Sequence, residues 1–375
     1  MNRLYLYIIL LLCFIWPSCQ MKQSSHPEDS LSSDTIRYAR GFTVHHFDGY
    51  TAVEVRDPWD STRLLQRYLL VDRERPLPAN LPKGTVVQVP ARNIVVYTSV
   101  HAAIIDQLDE TGRIIGVCEP RYMDTPAIQE GLKAGRITDM GEATAPNVER
   151  MIDKGAELVI VSPFQNSGYG PVEKLGIPII EGADYMESLP LGRTEWIRFY
   201  GMLFGKEKVA DSIFRETEKS YLDLKKLVTA DMPRPTVISE KKFGASWFMP
   251  AGESYIANMY ADAGADYVFK ELPGAGSTPL AFETVLDRAI HADMWLVKYN
   301  RSEDMTYGEL RAEYTPYENF DAFKNRRIYS CNTGLVPYYE EFPLHPDYLL
   351  KDLIWVFHPE LLPGYSPRYY RKMRK

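Results

Sequence analysis

The stretch NIVVYTSVHAAIIDQL, residues 93–108, sets the grammar of the chain. An apolar strand-like run at 93–97 ends in small hydroxyl residues, and the spacing then becomes that of a helix over 100–108. A strand passing directly into a helix is half of a crossover unit, and crossover units impose parallel pairing. The alternation continues toward the C-terminus. Strand-like runs fall at 114–117, 158–161 and 177–180, with helix-like stretches at 125–134, 147–154 and 170–175 between them. One α/β lobe is thereby predicted over residues 91–187.

Working outward, residues 192–228 hold no proline and few glycines, so most of this stretch reads as helix, with Gly205 as the place for a break. A helix of about 24 residues spans roughly 36 Å, the length of a lobe rather than of a crossover. Pro233 and Pro235 end it, and a second series follows: strands at 236–239, 294–297 and 327–330, and helices at 254–264, 282–289, 317–323 and 347–357. On the N-terminal side, short alternating runs at 41–47, 50–55 and 67–71 are separated by Asp48-Gly49 and Asp57-Pro58, the signature of a small antiparallel sheet. The predicted fold class is α/β: two α/β lobes (91–187 and 231–375) bridged by one long helix (188–230), with a small β-rich N-terminal addition (38–90).

The first residues read as an export signal. Arg3 precedes an uncharged apolar run at 4–16, too short to span a bilayer because about 20 helical residues are needed, and Pro17, Ser18 and Cys19 follow. This predicts a signal peptide at 1–18. The junction resembles a bacterial lipobox, which implies lipidation of Cys19 and a periplasmic protein lipid-anchored to a bacterial membrane. Residues 19–37 are polar and read as a tether in which no core can form. In the mature chain Cys118 and Cys331 remain as thiols; neither a zinc spacing nor a CxxC motif is present, and a disulfide between them is left open.

Composition removes several classes of function. Lys and Arg number 43 against 50 Asp and Glu, a net charge of -7, with 45% hydrophobic and 25% charged residues. That is a globular protein without the basic surface that nucleic acid requires. The basic tail at 368–375 reads as a solvated helix terminus rather than a binding arm. His45 and His46 lie in the β-rich addition while His101, His291, His345 and His358 are scattered, so no metal site is signalled, and His101 reads as a structural histidine. G-x-S-x-G, H-E-x-x-H, a P-loop and a strand-following G-x-G-x-x-G are all missing, which argues against an enzyme and against a bound cofactor.

The order of segments resembles the helix-backbone (class III) periplasmic substrate-binding proteins of ABC importers, the Fe-siderophore, haem and cobalamin binding group. The resemblance runs from about 91 to 360. Besides residues 93–108 it is carried by GRIIGVCEPRY (112–122), APNVERMIDKGAELVIVSPF (145–164), WIRFYGMLFGKEKVA (196–210), SWFMPAGESYIANMYADAGADYVF (246–269), FETVLDRAIHADMWLV (282–297) and HPDYLLKDLIWVFHPEL (345–361). It implies that Glu149 and Glu283, one near the start of a predicted helix in each lobe, dock onto the two subunits of an ABC permease dimer served by its ATPase. An acid there is also favoured by the helix dipole, by about 0.3–1 kcal/mol, which is the plainer explanation of both.

The resemblance places the ligand between the lobes, on loops at the carboxyl ends of strands. The residues expected to contact it are Ser99, Arg121, Tyr122, Phe164, Trp247, Phe248, Tyr338 and Tyr339, an aromatic set suited to a large, flat or aryl-bearing molecule. Arg121, Lys241 and Lys242 suit an anionic ferric chelate; Glu119, Glu253, Glu340 and Glu341 oppose one. The function implied is capture of an iron chelate, siderophore or haem, by a monomeric lipoprotein. Cobalamin binding, or a surface lipoprotein that presents ligand without transport, stands as the alternative.

Overall fold

The computed structural model describes residues 32–375. The signal peptide expected at 1–18, Cys19 and most of the tether lie outside the described residues.

The chain first builds a five-stranded sheet from β1 (Ser32–Ser33), β2 (Phe42–Phe47), β3 (Tyr50–Arg56), β4 (Leu64–Asp72) and β5 (Thr85–Val89), arranged in sequence order and antiparallel except for the β4–β5 pair. Gly49, with φ of +83°, makes the β2–β3 turn in a region that glycine enters without steric cost. Asp57 organises the next turn, accepting from Trp59 N at 2.9 Å and pairing with Arg63 at 2.6 Å. Strand alternation then puts Phe42, Val44, Val53, Val55, Tyr68 and Leu70 into one core shared with the following lobe. The β-rich addition is thus built into the N-terminal lobe and does not stand apart from it.

The tether expected to run to residue 37 ends sooner. Ser32 and Ser33 pair with His46 and His45, and the backbone amides of Arg37, Tyr38 and Ala39 donate to the Glu195 carboxylate at 2.7–3.1 Å. Arg40 and Gly41 donate to Glu187, which also receives Trp196 Nε1 at 2.9 Å. Polar composition rules out a core in this segment but says nothing about its backbone amides, which found buried carboxylates far along the chain.

The N-terminal lobe contains β6 (Ile94–Val96), α1 (Ser99–Gln107), β7 (Ile114–Val117), α2 (Pro126–Lys133), β8 (Thr138–Asp139), β9 (Gly141–Glu142), β10 (Ala145–Pro146), α3 (Val148–Asp153), β11 (Leu158–Val161) and β12 (Ile179–Glu181). The main sheet is parallel, in the order β12-β11-β6-β7-β8, and β9 and β10 form a separate hairpin. Ile94, Val96 and Ile160 face the core shared with the N-terminal sheet, whereas Val95, Val159 and Val161 fill a second core on the opposite face. Both faces are covered, as a parallel sheet requires.

The bridge between lobes is α4 (Pro190–Glu195), α5 (Ile197–Phe204) and α6 (Glu207–Lys225) rather than one uninterrupted helix. Gly205 takes φ of +67° and closes α5, so the piece that spans the lobes is the 19-residue α6, roughly 28 Å long. Phe214 of α6 belongs to the N-terminal core and Tyr221, two turns later on the same face, to the C-terminal core.

The C-terminal lobe follows with β13 (Thr236–Ser239), β14 (Lys242–Phe243), β15 (Ser246–Pro250), α7 (Tyr255–Asp262), β16 (Asp266–Tyr267), β17 (Ser277–Leu280), α8 (Phe282–Ala289), β18 (Met294–Tyr299), α9 (Tyr307–Glu313), α10 (Asp321–Lys324), β19 (Ile328–Asn332), α11 (Tyr338–Glu341), α12 (Pro346–Phe357) and β20 (Arg371–Lys372). The main sheet is ordered β16-β13-β18-β19-β20, parallel except for β20, with a three-stranded sheet β14-β15-β17 beside it. The basic tail is therefore not a solvated helix end. Tyr369 and Tyr370 are buried, and their backbone amides and that of Arg368 donate to the buried Asp352, which sets β20 onto the sheet.

Replacing Glu195 with alanine leaves the amides of 37–39 without a partner inside the protein. A loss of about 3 kcal/mol or more is expected in denaturant unfolding, on the scale of a broken buried charged network. A change under about 0.5 kcal/mol would remove the clamp from the account of stability.

Candidate functional site

In both lobes the parallel strands end toward the same gap, and the chain closes that gap with bonds from lobe to lobe. Glu340 at α11 reaches over to α2, where its Oε1 accepts from Asp124 N at 2.8 Å, Thr125 N at 3.1 Å and Thr125 Oγ1 at 3.2 Å. Thr125 is the N-cap residue of α2, so a carboxylate from the other lobe meets the positive end of that helix. Burial raises the pKa of Glu340, and the bonds from residues 124 and 125 act against that rise. Thr194 Oγ1 donates to Pro343 O at 3.1 Å, and the Arg193 guanidinium lies 4.9 Å over the Phe342 ring.

Behind this junction sits a buried polar cluster. His101 is held between Thr98 and Asp184, with Nδ1 at 2.9 Å from Thr98 Oγ1 and Nε2 at 3.2 Å from Asp184 Oδ1. Asp184 also receives Arg193 at 3.1 Å and Tyr200 at 3.3 Å. Burial alone would raise the pKa of Asp184, but His101 and Arg193 outweigh it and hold the carboxyl below its usual range. His101 is thereby a satisfied interior group. Among the described residues, no group of three or more His, Cys, Asp or Glu side chains could hold a metal ion.

On the N-terminal side, Ser99 opens α1 half-buried, while its neighbour Thr98 is the capping residue and accepts from His101 N. Arg121 and Tyr122 follow β7. Arg121 binds Glu142 through two bonds of 2.7 and 3.0 Å, lies 3.5 Å from Glu119, and stacks 4.7 Å over the Tyr122 ring. Arg121 keeps Glu142 ionised, lowering its pKa to about 2, whereas burial and the neighbouring Glu142 raise that of Glu119. Tyr122 is 59% exposed and Phe164, after β11, is 64% exposed beside Tyr185.

On the C-terminal side the structure revises the expected set. Trp247 is fully buried in the lobe core, packed on Trp295, Tyr317 and Phe320, with Nε1 donating to Ser239 O at 3.0 Å. It offers a ligand no surface, because β15 alternates and turns Trp247 inward and Phe248 outward. Tyr338 is also buried, against Phe342 and Tyr369, leaving Tyr339, 49% exposed, to present an aromatic face. Phe243, 80% exposed on the β14–β15 hairpin, and Leu335 were not among the expected contacts. The composition of those loops was their only signal.

Sequence reasoning also missed the pair at the ends of β13 and β18. Glu240 adopts φ of +64°, rare for a side chain with a Cβ, and its carboxylate pairs with Lys298 Nζ at 2.6 Å. Trp295 Nε1 fixes the Glu240 carbonyl at 2.7 Å, and Lys298 lies 5.7 Å over the Tyr338 ring. Burial opposes the charge on Lys298, but Glu240 prevails and its pKa is raised well above the ordinary lysine value. Strained backbone at the end of a central strand is where binding sites concentrate.

Glu149 lies in the first turn of α3 and Glu283 in the first turn of α8. Both are exposed, and neither makes a hydrogen bond or ion pair among the described residues. Cys118 and Cys331 are free and buried, one in each lobe's core, with burial pushing both thiols up to about 12.

Two α/β lobes joined by a spanning helix, facing each other across loops at the carboxyl ends of parallel strands, define a two-lobed solute-binding protein. Residues 94–333 match the periplasmic binding protein family, and the chain belongs to it; this is a family of extracytoplasmic substrate-binding proteins, not of enzymes. An uncharacterized lipoprotein of Methanocaldococcus jannaschii is 27% identical over 82% of this chain and 76% of its own length. A protein of an ABC-type Fe3+-hydroxamate transport system from Saccharomonospora viridis matches 72% of this chain and 94% of its own at a TM-score of 0.56 and 17% identity. Staphylococcus aureus IsdE, solved with haem, matches 71% and 99% at a TM-score of 0.57 and 17% identity. At these identities the two solved structures establish the fold.

Two outcomes are expected. Glu340→Ala should loosen the lobe junction, giving faster amide hydrogen exchange at residues 124–129 and a stability loss of about 1–2 kcal/mol; unchanged exchange there would show that the bridge does not hold α2. Native protein at pH 8 should resist alkylation at Cys118 and Cys331 and take up both labels only on unfolding, as read by mass, since the thiolate is the reactive form.

Proposed function

We propose that this protein captures a metal chelate, an iron siderophore complex or haem, between its lobes and delivers it to an ABC importer. The observation that carries the reading is the placement of exposed aromatic side chains. Tyr122 and Phe164 from one lobe and Phe243, Phe248 and Tyr339 from the other all stand on or beside the loops leaving the carboxyl ends of the parallel strands. Large exposed rings contributed by both lobes suit a large ligand with apolar or aryl faces. The ferric hydroxamate and haem systems of the fold neighbours handle ligands of this kind. The paired charges around Arg121 and Lys298 also suit cobalamin, which is the second reading.

Delivery rests on Glu149 and Glu283. Each is an exposed, unpaired carboxylate in the first turn of a helix, one per lobe, which suits steered and reversible docking onto cationic groups of two permease subunits. Cys19 is the proposed lipid attachment, in keeping with the lipoprotein relative, and residues 20–31 would then lead from the membrane to β1. The mature protein acts as a periplasmic monomer in this scheme.

The test separates binding from delivery. Tyr122→Ala and Phe164→Ala should each weaken chelate binding in calorimetric titration by about 1 kcal/mol, the scale of one aromatic contact. Joint reversal of Glu149 and Glu283 to lysine should leave that affinity unchanged and abolish uptake in cells. Uptake at the wild-type rate would sink the docking assignment, and unaltered affinity in both aromatic variants would move the ligand elsewhere.

A further inference from the structure

The charges around the gap form a pattern of their own. Arg121 is held bidentately by Glu142 with Glu119 beside it, Lys298 is held by Glu240, Lys241 by Glu313 at 2.6 Å, and Arg193 by Asp184. Lys242 spends its charge 4.7 Å over the Tyr314 ring. Each of these cations already has an acidic or aromatic partner within the protein, and the Arg121 group carries more carboxylate than guanidinium.

Resting on the chelate reading of the cleft, we infer that the site selects a metal chelate of no net charge, through ring stacking, and discriminates against polyanionic chelates. An anionic ligand gains from an arginine only when that arginine is free to turn its donors to it. The exposed Arg121–Glu142 pair is weak in itself, but an anion that drew Arg121 away would face the carboxylates of Glu142 and Glu119 beside it. Recruiting Lys298 would leave the half-buried Glu240 carboxylate without its cation, a cost that an added contact to the ligand has to offset. A neutral ligand asks for none of this. The Arg121 guanidinium stacked on Tyr122 presents a flat platform, and Phe164 and Tyr339 offer rings with no charge to satisfy.

The experiment titrates the full chain in detergent, with detergent-only controls, against four probes: a neutral ferric tris-hydroxamate, cyanocobalamin as a neutral corrinoid, haem with its two propionates, and a triply anionic ferric tris-catecholate. At least one neutral probe is expected to bind about ten-fold or more tightly than the catecholate, with an affinity that changes less than about two-fold between low and high salt. The Glu119→Gln, Glu142→Gln double variant, altered only at the rim, should bind the catecholate at least about five-fold more tightly than the wild type does, because Arg121 is released. Equal or tighter wild-type binding of the catecholate overturns the charge inference and leaves the chelate reading standing. Preference for a neutral probe that the double variant leaves untouched overturns the assignment to Arg121. Binding of none of the four overturns the chelate reading itself, and the inference falls with it.

Discussion

Two buried carboxylates on the segment between the lobes tie the start of the N-terminal sheet to the bridge. Glu195 and Glu187 take the amides of residues 37–41 as those residues turn into the first sheet, and Glu195 is also paired with Arg198 of α5 at 2.8 Å. A carboxylate removed from water is tolerated only when its oxygens are filled, and here backbone donors from a remote part of the chain fill them. The entry of the N-terminal sheet, the start of the bridge and the core around Trp196 are thereby fixed by one set of hydrogen bonds. Strands β2 to β5 can then share a core with the first lobe.

From that anchor the bridge runs into α6, whose buried face belongs to both lobes. Because Phe214 and Tyr221 are interior residues of different cores on one rigid helix, the lobes cannot swing far apart without exposing one of them. Tyr221 is tied further by its bond to Asp262 of α7 at 2.7 Å. The lobes also meet at and just beyond α11, through Glu340 on α2, Thr194 on Pro343, Arg193 on Phe342 and the apolar Leu344, which is buried in the N-terminal core. A bridge shared by both cores limits the entropy lost when a binding protein takes up its ligand.

The proposed site combines exposed rings with charges already matched inside the protein. The strained Glu240 backbone belongs to the same design, since its left-handed turn brings the carboxylate onto Lys298 at the end of the neighbouring strand. On the inference drawn above, stacking rather than salt bridging is what the site offers a ligand.

Local sequence determined the regular elements. The runs read at 114–117, 158–161, 236–239 and 282–289 coincide with β7, β11, β13 and α8, because buried parallel strands and amphipathic helices carry their periodicity in the residues themselves. The two lobes and their order follow from that alternation, and the places of Glu149 and Glu283 in the first turns of α3 and α8 were legible because helix starts are marked locally. What lay beyond reach depends on contacts distant in sequence. The short strands β14, β15 and β17 pair across a helix, so nothing in the local pattern showed that Trp247 would be the inward residue of β15 and Phe248 the outward one. Aromatic composition alone does not say which ring is core and which is contact. The tail became a strand because Asp352 collects the amides of residues 368–370, and the polar segment before Tyr38 became ordered because Glu195 lies over it. Residue type and spacing fix what a segment prefers to be. Which buried carboxylate meets which backbone, and which cation arrives already paired at the gap, is decided only when the chain has folded and desolvation makes each polar group find a partner.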